Sequence, residues 1–157
     1  MNLQGFLNDC AAIEAVAERI YLRLASSPSI EPWLRSVFQQ LAEDESGHSR
    51  QLNSAALAFE QTEYGLKRIA HHRVVELLDE AEALLQRVKE DAVGAKEALA
   101  CSIELENKFR KIHLDQATFF DDEQVMKTFN SLARSDAEHL ATLQDAIAKF
   151  KRGEKKT

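Results

Sequence analysis

Residues 41–52 read LAEDESGHSRQL, and residues 132–143 read LARSDAEHLATL. In each, apolar residues recur at steps of three and four, the repeat of one helix face. Extended outward, the first stripe runs Leu34, Phe38, Leu41, Glu45, His48, Leu52, Ala55 and Phe59. The second runs Val125, Phe129, Leu132, Asp136, His139, Leu143, Ala146 and Phe150, and matches the first position for position at an offset of 91. In both, a carboxylate and a histidine three residues later interrupt an otherwise apolar face.

The segments upstream repeat as well. The stripe Leu7, Cys10, Glu14, Ala17, Tyr21, Leu24 falls, at an offset of 92, on Leu99, Ser102, Glu106, Phe109, His113 and Gln116. A carboxylate again stands in the middle of each copy. The chain therefore reads as a helix pair given twice, joined by residues 61–93, a connection long enough to cross a bundle from end to end.

Breaks at Ser26-Ser27-Pro28-Ser29 with Pro32, at 61–65, at Asp91 to Gly94 and at Asp121-Asp122 mark the boundaries. They predict helices over 6–26, 32–60, 95–118 and 122–150, with a shorter amphipathic helix over 73–89 in the connection. Pro32 suits a first helical turn, Asp121 or Asp122 suits a cap, and Gly153 suits the end of the last helix. The expected fold is all-α, a four-helix bundle in one domain over 1–157, with a long crossover connection that contains a short helix.

Composition agrees. Among 157 residues there are only 5 Gly and 2 Pro, 45% are apolar and 29% are charged. That content fits helices and excludes a turn-rich sandwich or a low-complexity linker. With 26 acidic against 20 basic residues the net charge is −6, the wrong sign for a protein that neutralises a nucleic-acid backbone. The basic cluster at Lys149, Lys151, Arg152, Lys155 and Lys156 reads as a solvated helix end, where cations suit the macrodipole. No stretch approaches the ~20 apolar residues a membrane helix needs, so a cytoplasmic protein without a membrane partner is expected. Cys10 and Cys101 form no CxxC motif, which leaves no cysteine-based metal site.

The polar members of the stripes carry the chemistry. Glu14, Glu45, His48, Glu106, Asp136 and His139 should all face one apolar interior at mid-height, where an unpaired charge costs several kcal/mol. Two divalent cations would cancel four carboxylates, and oxygen with imidazole donors suits iron or manganese. In the third long helix Glu104 competes with Glu106. Choosing Glu106 aligns Leu105, Phe109 and Ile112 with Ile13, Ala17 and Ile20, whereas choosing Glu104 puts Asn107 and Arg110 in the core.

These motifs resemble the rubrerythrin branch of the ferritin-like superfamily, over residues 7–150. The segments that carry the resemblance are IEAVAERIY around Glu14, LAEDESGH ending at His48, SIELENKF around Glu106 and LARSDAEHL around His139. It implies a ferritin-like bundle, a centre of two iron ions with manganese as the alternative, and reduction of peroxide or oxygen. It equally implies a ferroxidase or iron-handling role, and a non-catalytic helical module with a structural or lost metal site is the remaining reading. Asp136 departs from the family pattern, where a glutamate one methylene longer stands. The paired CxxC motifs of a rubredoxin-like domain are also missing, so electrons must come from an external donor. Bundles of this kind commonly pair, and the apolar 73–89 segment serves either its own domain or a homodimer contact.

Other residues take blander readings. Tyr21 and His113, each seven residues after a mid-stripe carboxylate, suit packing or a hydrogen bond to a ligand. Glu43 and Asp44 point away from the Glu45 face and read as solvated. His71 and His72 receive no role.

Overall fold

A computed structural model describes residues 3–59 and 68–156. Among them lie five helices and no strand: α1 Leu3–Ala25, α2 Pro32–Ala58, α3 Arg68–Lys89, α4 Ala95–Phe119 and α5 Glu123–Glu154. The all-α expectation and four of its helices hold within a few residues. The break expected at 61–65 and the last residue of the helix expected over 32–60 lie outside the described residues.

Local chemistry accounts for the ends. Pro32 opens α2, where its missing N–H costs nothing. Asp122 caps α5, its side chain accepting a hydrogen bond from the Val125 N–H at 3.0 Å. Past the end of α3 the Ala92 N–H bonds the Arg87 carbonyl at 3.0 Å and the Asp91 N–H bonds the Val88 carbonyl at 3.1 Å. That Schellman pattern requires a left-handed residue, and Asp91 supplies it at φ 53°.

The connection differs from expectation in one respect. α3 is no short helix: its 22 residues nearly equal the 23 of α1. Its first turns are polar, so the apolar periodicity begins at Val74, well after the helix does. Val74, Leu77, Ala81, Leu84, Leu85 and Val88 are buried, as α3 packs on α1 and on α4. Ion pairs from Lys108 to Glu80 at 2.5 Å and from Arg73 to Asp115 at 3.5 Å join α3 to α4 along its solvent edge. Its apolar face thus serves the chain's own core.

α1 packs along α2 and α4 along α5, each pair joined by a short connection, and α2 meets α5. Aromatic side chains close the core on both sides of the mid-stripe residues. Phe6, Phe120 and Phe129 form one group with ring centroids 6.1 to 6.4 Å apart, and Tyr21 stacks on Phe38 at 6.0 Å on the other side.

Candidate metal centre

Between those aromatic groups the mid-stripe polar residues are buried, His48 only partly, with 12% of its side chain exposed. Glu14, Glu45, Glu106 and Asp136 have no exposed surface, and His113 and His139 retain 3%. They come from four helices, Glu14 from α1, Glu45 from α2, Glu106 and His113 from α4, Asp136 and His139 from α5, and the alternating steps turn all of them inward. Glu104, the rival to Glu106, lies at the surface and pairs with Lys108 at 3.1 Å.

Two three-residue cups result. Glu14, Glu45 and His48 form one, and Glu45, Glu106 and His139 form the other; in each, donor atoms lie within 4.8 Å of one another, close enough to hold a metal ion. Glu45 belongs to both. Its Oε2 lies 3.0 Å from His48 Nδ1, and its Oε1 lies 3.1 Å from His139 Nδ1. The two imidazoles stack with centroids 5.6 Å apart. His48 Nδ1 stands 3.8 Å from Glu14 Oε2, and His139 Nδ1 stands 3.4 Å from Glu106 Oε2.

Asp136 belongs to neither cup. Its Oδ2 is 2.5 Å from His113 Nδ1, and the opposite ring nitrogen, Nε2, is 3.1 Å from Glu14 Oε1. His113 is thus a strut between α5 and α1. Tyr21, its counterpart in the other helix pair, donates to Glu106 Oε1 at 2.6 Å. The hydrogen-bonding role expected of Tyr21 and His113 is what the structure shows.

Asp44 is where sequence reasoning falls short. Its side chain is 41% exposed, and its Oδ2 lies 3.1 Å from His139 Nε2. The contact crosses from α2 to α5, so no pattern within one helix could reveal it. His71 reaches Asp9 at 2.8 Å and His72 reaches Glu76 at 2.9 Å, and neither belongs to a cup.

The electrostatics follow from burying like charges together. Burial raises the Glu45 carboxyl well above the usual carboxylate range, and repulsion from Glu14 and Glu106 adds to it. Burial opposes ionisation of Glu14 too, but bonding with Glu45, His113 and His48 outweighs it and holds Glu14 well below its ordinary value. The two carboxyls are thus pushed in opposite directions, Glu45 towards holding a proton and Glu14 towards losing one. Burial alone would depress the imidazoles. Asp136 and Glu14 instead lift His113 to about 10, Glu106 and Glu45 lift His139 to about 11, and Glu14 raises His48. Burial raises Asp136 to about 6 against the pull of His113. Tyr21 is pushed up by burial and by Glu106 and Glu45, so it keeps its proton.

Protonated imidazoles do not saturate the cluster. Glu14 Oε1 and Oε2, Glu45 Oε1 and Asp136 Oδ1 are buried with no hydrogen bond of acceptable geometry. Carboxylate oxygens left so would each cost on the order of 1–3 kcal/mol or more. Three of the four belong to the cups, so the donor set fits a cation better than it fits the protons. Comparison of the chain with known protein families, with curated proteins and with solved structures finds no match. No described helix is long and apolar enough to cross a membrane.

Proposed function

We propose that this chain is a dinuclear-metal oxidoreductase of ferritin-like, rubrerythrin-type design, a four-helix bundle crossed by α3 that reduces peroxide or oxygen with electrons from an external donor. The observation that carries this reading is a pair of buried Glu/His cups sharing one carboxylate, Glu45. A shared carboxylate serves two ions held close together, and two coupled ions suit a two-electron reaction.

Glu14, Glu45 and His48 would hold one ion, and Glu45, Glu106 and His139 the other. All-oxygen and imidazole donors favour iron, with manganese as the alternative. Bound there, such a pair would supply the two electrons that reduction of a peroxide consumes. Around them Phe38, Leu41, Phe129 and Leu132, all buried, exclude bulk water. Tyr21 holds its proton on Oη against Glu106 Oε1, which fixes the direction of that carboxylate. Asp136, drawn to His113 at 2.5 Å, acts on Glu14 through the imidazole; whether it also binds an ion depends on its free Oδ1 turning inward. A homodimer is part of the same proposal and is checked by light scattering.

The test is anaerobic reconstitution with ferrous iron, followed by mixing with peroxide and with oxygen in turn. Two irons per chain and rapid loss of peroxide, with water as product, are the expected results. Oxidation by oxygen with uptake of many irons per chain would replace this reading with iron storage. A redox-inert pair would reduce it to a structural site.

A further inference from the structure

The two cups differ in what stands behind their ligands. In the Glu45–Glu106–His139 cup both Glu106 and His139 have an outer partner. Tyr21 bonds Glu106 at 2.6 Å, and Asp44 lies 3.1 Å from Nε2 of His139, which leaves Nδ1 facing Glu45 and Glu106. A carboxylate behind a ligating imidazole fixes its tautomer and ring orientation and raises its basicity.

The Glu14–Glu45–His48 cup lacks that support behind its imidazole. The offset of 91 aligns Asp44 with Ser135, so the repeat breaks at the residue that could have served His48. Nε2 of His48 has no carboxylate partner among the described residues, and its side chain keeps 12% exposure against 3% for His139. Glu14 is backed by His113, whose Nε2 stands 3.1 Å from Oε1 without a well-formed hydrogen bond, whereas Glu106 accepts one from Tyr21.

We infer that the cups are unequal: the first ion enters the Glu45–Glu106–His139 cup and is held there more tightly, and Asp44 is the positioning residue responsible. This rests on the metal-binding reading above. It adds an order of filling and a partly exposed carboxylate that no ligand pattern contains. Because the ions share Glu45, a weaker second step would occur even between equal cups, so the decisive question is which cup fills first.

The test uses metal-free full-length chain and cobalt(II) alone, titrated against a chromophoric chelator, with the visible spectrum of the one-equivalent form as a second readout. His48→Ala should bind its first ion with wild-type affinity and wild-type spectrum. His139→Ala should bind its first ion at least about tenfold more weakly, and Asp44→Asn should weaken it by about 10- to 100-fold with a changed spectrum. Because Asp44 is 41% exposed, its replacement leaves the core intact. First-ion affinities that match in His48→Ala and His139→Ala, or an Asp44→Asn protein with wild-type affinity and spectrum, would overturn the inference while leaving the metal reading standing. Failure of the wild-type chain to bind cobalt would overturn both.

Discussion

The α1–α2 and α4–α5 hairpins carry the same stripes, yet they contribute differently at mid-height. Glu14 and Glu106 are equivalent by position, as are His48 and His139, and these four reach the cups alike. Glu45 and Asp136 are equivalent too, but only Glu45 joins both cups, while Asp136 ends at His113. One methylene separates the side chains. The shorter one stops against the neighbouring imidazole, and the pseudo-symmetry of the repeat is lost where it would matter for chemistry. Repetition sets the scaffold, then, and single-residue departures from it set the function of each half.

The departure at Glu45 and Asp136 predicts the largest effect. Glu45→Ala should abolish binding of both ions, since no other residue belongs to both cups. Asp136→Ala should leave at least one ion bound, as measured by metal analysis of dialysed protein. Equal loss in the two variants would restore the symmetry that the structure denies.

Next comes the pair of braces, His113 and Tyr21. His113→Phe in the metal-free protein leaves Asp136 and one side of Glu14 without an opposite charge, a buried loss of about 3–5 kcal/mol. At about 2–4 °C per kcal/mol the melting temperature should fall by roughly 6–20 °C. Tyr21→Phe removes a single hydrogen bond to a carboxylate, about 1.5–3 kcal/mol, and should cost less. Thermal melts that rank the two in reverse order would show that His113 is not the stronger brace.

Protons sharpen the comparison further. Ligating histidines must be neutral, but His139 sits at about 11 and His48 is raised by Glu14, while Glu45 is raised by burial and its carboxylate neighbours. At neutral pH, loading the cups should therefore release the His139 proton, and further protons to the extent that His48 and Glu45 carry them. Metal competes with those protons, so affinity rises with pH throughout the window below about 11. Calorimetry in buffers of different ionisation enthalpy measures the release. A value near zero would mean the cups are already deprotonated.

The smallest effect lies away from the site. Asp91 adopts φ 53° at the end of α3, a conformation that costs a non-glycine residue roughly 1–2 kcal/mol. Asp91→Gly should raise stability by about 0.5–1 kcal/mol in a denaturant titration and leave metal uptake unchanged, because α3 carries neither cup.

Much of this was legible from period alone. Steps of three and four place Glu14, Glu45, His48, Glu106 and His139 on inward faces, and helix register alone separates Glu106 from Glu104. The length of α3 was hidden because Arg68 to Arg73 carry little apolar signal, so the stripe starts late. Asp44 and the Asp136–His113 contact were hidden for a different reason. Both are contacts between helices, set by the spacing of backbones and the reach of particular side chains, and a pattern read along one helix holds neither quantity. Asp44 does leave α2 away from the Glu45 face, as helix geometry dictates, but α5 lies within reach of its carboxylate.

The most direct measurement is the metal content and melting temperature of chain purified without chelator and then offered ferrous iron anaerobically. Two tightly held ions per chain, with a melting temperature that rises on loading, are what buried and incompletely bonded carboxylates at Glu14 and Glu45 predict. A chain that stays metal-free and melts at the same temperature with or without iron or manganese would contradict the account at its centre.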